Sequence, residues 1–211
     1  MSEQITSEPI WIYGAAGHAK VIIQAIRASG GMVGGVVDDD QTLLGSKIVG
    51  IEIQAPESIP DSAPMAIAIG NNKVRHRFVQ SLETKPQRRQ WAKVVHPSAI
   101  IDPTVTIGEG TVVMAGAIIQ AGTKIGKHAI INTKASVDHD VSVGDFCHIC
   151  PGATIAGHVS IGQFAMVGAG ANVIPCMTIQ KAAIVGAGAC VISDVAENCI
   201  VVGVPAKSKS Q

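Results

Sequence analysis

The residues best equipped for chemistry cluster around two histidines. His139 stands in Asp138-His139-Asp140, where an imidazole between carboxylates can be oriented and kept basic near neutral pH. That is what removing a proton from an incoming amine or hydroxyl requires. A solvated corner would also tolerate these three polar groups with no function at all, so both readings stand. His148 sits in Cys147-His148-Ile149-Cys150, whose spacing is that of a zinc half-site, but no second cysteine pair follows. The five cysteines, at 147, 150, 176, 190 and 199, make no cystine framework, and Cys147 and Cys150 read as small buried thiols. Among the histidines, His128, His148 and His158 form the one tempting metal set. Separations of twenty and ten residues do not place them on one edge of the coil described below, and no metal is expected. A third locus lies near the start of the chain, where Gly14-x-x-Gly17-His18 is followed by the carboxylate run Asp38-Asp39-Asp40. Backbone N–H groups at a helix start can hold a phosphate, and a carboxylate one strand away can reach a ribose hydroxyl or base edge.

The elements around that third locus read as a small Rossmann-like α/β lobe over residues 1–90. Ile10 to Tyr13 is a short apolar run, the glycines form the turn, and Ala19 to Ala28 has helical periodicity. Further apolar runs, Met32 to Val37 and Met65 to Ile69, each end in polar loops, and 71–82 supplies the next helix. Ligand groups then gather at the carboxyl ends of parallel strands.

From Trp91 the pattern changes. Val95, Ile101, Ile107, Val113 and their successors keep a period of six without a slip to Val191. Neither an α-helix nor alternating strands have this period. The position four after each anchor is also small, as in Ala117, Ala129, Ala135 and Ala153, so both files can point inward. Glycine is expected to turn the corners at Gly108, Gly126, Gly144 and Gly162, which recur every eighteen residues. Three hexads per turn make a left-handed parallel β-helix of hexapeptide repeats over 91–211. His139 and His148, half a coil apart, face different sides of it. Outward apolar residues Met114, Phe146, Met166 and Ile174 point to flank-to-flank association and a homotrimer, in whose grooves His139 of one subunit and His148 of a neighbour flank the same ligand.

Composition agrees with a narrow repetitive core: hydrophobic residues make up 47 % and aromatics only 3 %. Lys plus Arg and Asp plus Glu number 16 each, which gives no electrostatic reason to expect nucleic acid or anionic lipid as partner. The polar opening Met1 to Pro9 lacks the pattern of a secretion signal, and no stretch has the length of a membrane span, so a cytoplasmic location is expected.

Period six names an architecture and leaves open an acyl-CoA-dependent transferase, a metal enzyme and an assembly scaffold. Four segments decide among them by resemblance: Ile12-Tyr13-Gly14-Ala15-Ala16-Gly17-His18-Ala19-Lys20, Val95-His96-Pro97-Ser98-Ala99, Ile131-Asn132-Thr133-Lys134-Ala135 leading to Asp138-His139-Asp140, and Val202-Gly203-Val204-Pro205-Ala206-Lys207. Over nearly its whole length the chain resembles the NeuD-type sialic acid O-acetyltransferases and the bacterial nucleotide-aminosugar N-acetyltransferases of bacillosamine and perosamine type. The resemblance implies acetyl-CoA as co-substrate and an amino group on a nucleotide-linked sugar as acceptor, with O-acetylation of a sialic acid as the alternative. It places Gly14, Gly17, His18 and Asp38 or Asp39 at the nucleotide and Asn132 near the acceptor. His139 becomes the general base, with Asp140 holding its tautomer. His148, the corner glycines Gly168 and Gly186, and Lys207 go to the cofactor side, a corner N–H meeting the thioester oxygen as charge develops there. Lys134 stands where many relatives have glycine, and its role is open.

Overall fold

The computed structural model describes residues 8–83 and 89–209, so the polar opening up to Ser7 lies outside the described residues. The first lobe is a five-stranded sheet of β1 (Ile10–Tyr13), β2 (Val33–Val37), β3 (Lys47–Ile48), β4 (Ile51–Gln54) and β5 (Met65–Ile67), in the order β3-β4-β2-β1-β5. All pairs are parallel except the β3–β4 hairpin. That hairpin is absent from the sequence reading for a physical reason. Val49 and Gly50, its two turn residues, both have positive φ, at 49° and 80°, an arrangement that sequences usually announce with Asn-Gly.

Helix α1 (Gly17–Ala28) buries Ala19, Ile22, Ile23, Ala25 and Ile26 on one face. This stripe lies between the sheet and the second lobe, in one core with Ile10, Ile12, Val94, Val112, Met114 and Ile130. Helix α2 (Asn72–Glu83) follows β5 and buries Asn72, Arg75, Val79 and Leu82.

The second lobe is a triangular solenoid of two-residue strands, paired in parallel with the strand eighteen residues away as far as Val191, the last parallel pair, Ile184–Val185 with Ile200–Val201, being sixteen apart. The first flank runs from Val94–Val95 through Ile130–Ile131, His148–Ile149 and Ile184–Val185 to Ile200–Val202 and the antiparallel Lys207–Ser208. Six strands from Ile100–Ile101 to Cys190–Val191 form the second, and five from Thr106–Ile107 to Thr178–Ile179 the third. The anchors and the small residues four beyond them share one buried file, including Val113, Ala117, Ile131, Ala135, Ile149 and Ala153. This is the left-handed β-helix that the period of six implied.

Two expectations are corrected. Corner glycines Gly108, Gly126, Gly144 and Gly162 do not turn the chain. From Gly110 to Gly188 every sixth residue has positive φ, and many of these are not glycine: His128, Lys134, Asp140, Phe146, His158, Phe164, Cys176 and Ala182. The left-handed residue therefore sits three past each anchor, and glycine one past the anchor answers a different need. A Cβ on Gly144 would lie 2.7 Å from the Gln163 nitrogen and 3.0 Å from the Gly162 carbonyl carbon in the next coil. Accordingly Gly144→Ala is expected to destabilise the prism by about 1–3 kcal/mol, because backbone must shift to admit the methyl. Gly152→Ala, with φ +67° and nothing within 4 Å, pays only left-handed strain of about 1 kcal/mol. Chemical denaturation of both variants checks this, and equal midpoints would remove the close-approach explanation.

The second correction concerns the apolar flank. Met114 and Phe146, read as outward patches, are 1 % and 8 % exposed because the first lobe covers them. Apolar side chains left open include Ile100, Ile174, Ile192 and Val204.

Candidate active site

Docking of the lobes is centred on Arg75, a fully buried arginine that the sequence reading did not single out. Its Nε donates to the His128 carbonyl at 2.9 Å, and its Nη2 donates to the Phe146 carbonyl at 2.9 Å and to Asn72 Oδ1 at 2.9 Å. Nη1 donates to the Ile69 carbonyl at 2.8 Å. Asn72 Nδ2 in turn donates to the Phe164 carbonyl at 3.0 Å. His128, Phe146 and Phe164 are eighteen residues apart at one left-handed corner, so α2 reads three successive coils through one file of carbonyls. Their rings stack, His128 on Phe146 with centroids 5.0 Å apart and Phe146 on Phe164 at 5.8 Å, and His76 meets both phenylalanines edge-on. One signal could have found Arg75: with Val79 and Leu82 it falls at i, i+4 and i+7 on the buried stripe of α2.

Under this latch His18 of the first lobe and His148 of the solenoid come together. Gly14 has φ 97° and donates its N–H to the Val37 carbonyl at 2.9 Å, placing the turn against the end of β2. Asp38 Oδ2 accepts from the Ala15 N–H at 2.7 Å and its Oδ1 from the Asp40 N–H at 3.0 Å. Asp38 thus shapes the glycine turn with both oxygens, whereas Asp39 is exposed. Burial, and after it a hydrogen bond with Asp39, pushes the Tyr13 phenol's pKa up. Gly17 opens α1 with free space where a side chain would be, and no side chain caps this helix start.

His18 follows, with its Nε2 buried and unpartnered, and burial, aided by the Arg75 cation, lowers its pKa to about 4. His148 faces it from the first flank. Burial first, then Arg75 and His18, lower the His148 pKa to about 4 as well, against a hydrogen bond with the Gly70 backbone. Both imidazoles are therefore neutral at pH 7. Asn132 Oδ1 accepts from the Thr133 N–H at 2.8 Å, which turns its Nδ2 toward His148 Nε2 at 3.0 Å. Gly168 and Gly186 continue the file of Asn132 up this flank, and Lys207 lies exposed on its last strand. The N–H groups of these two glycines donate to the Val185 and Val201 carbonyls at 2.8 Å each. Neither of these two N–H groups is free for a thioester oxygen. Lys134 is exposed in a left-handed conformation on a corner otherwise made of Gly116, Gly152, Gly170 and Gly188.

His139 lies at the next corner, between the second and third flanks. Its Nδ1–H donates to Asp140 Oδ2 at 2.9 Å, and its own N–H donates to Asp138 Oδ1 at 2.8 Å. The bond from Asp140 raises the imidazole pKa, with Asp138 adding to it. The ring lies over Gly157, where a Cβ would come within 2.6 Å of it. His158 meets it edge-on at 5.1 Å, with Nε2 3.8 Å from Asp140 Oδ2. His128, His148 and His158 do not converge: one is stacked beneath α2, one faces His18, and one stands beside Asp140. Cys147 and Cys150 are buried, which lifts their thiol pKa values to about 12 and 11 and leaves them without nucleophilic thiolate at neutral pH.

The chain can do three things with this arrangement: hold an anion at the start of α1, present a neutral polar pair in the cleft, and offer an oriented base on a separate corner. Residues 9–82 match the PglD N-terminal domain, and residues 122–157 match the bacterial transferase hexapeptide repeat. The perosamine N-acetyltransferase of Caulobacter crescentus, solved as a histidine-to-asparagine variant with CoA and GDP-perosamine, is 37 % identical, covers 99 % of this chain and 100 % of its own, and superposes with a TM-score of 0.89. The acetyltransferase domain of PglB from Neisseria gonorrhoeae, in complex with acetyl coenzyme A, is 31 % identical over 96 % of this chain and 100 % of its own, with a TM-score of 0.88. A UDP-N-acetylbacillosamine N-acetyltransferase of Bacillus subtilis is 42 % identical over 111 residues, 49 % of this chain; the match spans 50 % of that protein's length. With α/β lobe and solenoid shared over nearly the whole chain, the chain belongs to the family of bacterial nucleotide-sugar N-acetyltransferases built on a left-handed β-helix of hexapeptide repeats.

Proposed function

We propose that this protein transfers the acetyl group of acetyl-CoA directly to the amino nitrogen of a sugar carried on a nucleoside diphosphate, with His139 as the base. The observation that carries this reading is the 2.9 Å bond from His139 Nδ1–H to Asp140, which leaves Nε2 of the neutral ring unprotonated on a half-exposed side chain. Nε2 takes the proton the amine loses as its nitrogen attacks the thioester carbonyl, and returns it to the departing CoA sulfur. No acyl-enzyme is needed, in keeping with the buried, protonated thiols.

The diphosphate lies at the uncapped start of α1 beside His18, and the nucleoside reaches Asp39 rather than Asp38. Neutral His18 and His148 suit a cleft that must hold phosphates and a thioester without donating protons to the amine. The cofactor extends along the first flank toward Lys207, four strand steps from His148, or about 19 Å. His139 and His148 stand on different sides of one solenoid, so a complete site is formed by two subunits of a homotrimer. The open apolar side chains Ile100, Ile174 and Ile192 favour such association.

Calorimetric titration with GDP, UDP and dTDP tests the acceptor class: one of them is expected to bind and Asp39→Ala to weaken it. Failure of all three would remove the nucleotide-sugar reading. Light scattering is expected to give about three times 21.7 kDa. Mixing inactive His139→Ala and His148→Ala chains, unfolded and refolded together, is expected to restore activity. A fully active monomer would end the shared-site reading.

A further inference from the structure

His139, Asp140 and His158 each offer a donor atom, and these atoms all lie within 4.8 Å of one another, the one such group of His, Cys, Asp or Glu among the described residues. The repeat builds the cluster. Asp140 and His158 occupy the same left-handed corner position in consecutive coils, at φ 57° and 60°, so their side chains are stacked one strand spacing apart. Gly157, with no side chain, lets the His139 ring lie down beside His158. The Asp140 Oδ2 is 2.9 Å from His139 Nδ1 and 3.8 Å from His158 Nε2. Donors around a tetrahedral zinc ion at bond lengths of about 2.0–2.1 Å stand about 3.4 Å apart. The observed spacings straddle that value. The side chains are 51 %, 53 % and 59 % exposed, so small rotations suffice to close around an ion arriving from solvent. Two imidazoles and a carboxylate suit zinc and its borderline-soft neighbours, whereas magnesium and calcium want all-oxygen shells.

We infer that His139, Asp140 and His158 form a binding site for a zinc-class divalent cation, and that its occupancy switches the acetyl transfer off. The switch rests on the role proposed for His139. Zinc takes the Nδ1 lone pair, so the single proton of the neutral ring moves from Nδ1 to Nε2 through solvent. No proton is gained or lost, but Nε2 then carries hydrogen and can no longer accept one from the amine. Asp140 leaves its bond to His139 and becomes a metal ligand.

The test adds Zn2+ alone to chelator-washed, full-length protein and follows both heat and turnover. One ion per chain is expected to bind, acetyl transfer is expected to fall in step with occupancy, and EDTA is expected to restore it; Mg2+ at the same concentration does neither. His158→Asn accepts the left-handed backbone and removes one ligand, so zinc affinity and inhibition both weaken by about tenfold or more with turnover in EDTA unchanged. His158→Gln provides the same test with a different side chain. Cys176→Ser, at the next position of the same corner, is expected to leave binding intact. The site is overturned if wild-type protein binds no zinc, if both His158 variants bind it as tightly as wild type, or if Cys176→Ser abolishes binding. Zinc bound at the His158-dependent site with turnover unchanged would instead overturn the switch and His139 as base, so the two failures are told apart.

Discussion

Replacing His139 by alanine lowers turnover by about 10²- to 10⁴-fold and leaves acetyl-CoA affinity near its wild-type value. The imidazole touches the acceptor's proton only as the amine attacks, so its loss falls on kcat rather than on cofactor binding. Because Asp140 and Asp138 raise the His139 pKa above its ordinary 6.5, the acidic limb of the wild-type rate profile lies above pH 6.5. Activity is low where the ring is protonated and rises as pH climbs through that value. Asp140→Asn removes the larger of these two influences, so the limb moves to lower pH while the plateau falls, since the ring is then free to carry its proton on Nε2. In the alanine variant the limb disappears and part of the rate returns at high pH, where more of the amine is unprotonated. Steady-state kinetics of the three proteins against pH, with oligomeric state checked in the same samples, measure all of this. A folded His139→Ala enzyme with near wild-type turnover at pH 7 would remove the residue from the reaction.

Arg75→Met is expected to cost about 3 kcal/mol or more, because it strips a charged donor from buried carbonyls of two coils and from Asn72. For a chain of this size each kcal/mol shifts Tm by about 2–4 °C, so a fall of roughly 6–12 °C follows. The loss concentrates at the lobe junction, and amide exchange in α2 and around Gly70 accelerates before that of the solenoid core. A Tm within about 2 °C of wild type would show that the latch contributes little. The same junction makes the fold acid-sensitive. His18, His128 and His148 have folded pKa values of about 4 against 6.5 ordinarily. The unfolded chain therefore binds more protons between pH 6.5 and 4, so stability is held above 6.5 and drains away as pH falls through that window.

Both predictions rest on residues of opposite legibility. His139 and Asp140 are neighbours in the chain at a regular point of an eighteen-residue coil, so their mutual bond follows from the repeat alone. Arg75 reaches carbonyls of residues more than fifty positions away, and no spacing rule links α2 to that corner. The family resemblance assigned His148 to the cofactor side and Asn132 to the acceptor side; their hydrogen bond joins adjacent coils of one flank, whereas the approach of His18 comes from how the lobes meet.

The sequence by itself determined the inward file from Val95 to Val191, the coil length, the three central parallel strands of the first lobe and the oriented imidazole at position 139. These are local or periodic properties: a period of six leaves only one way to bury a single aliphatic file, and adjacent residues at a corner must share it. Tertiary structure alone decided that Met114 and Phe146 are covered and that glycines one past the anchor answer close approach rather than corner geometry. Each depends on what a neighbouring coil or lobe brings within about 4 Å, where packing is set by distance and shape rather than by order along the chain.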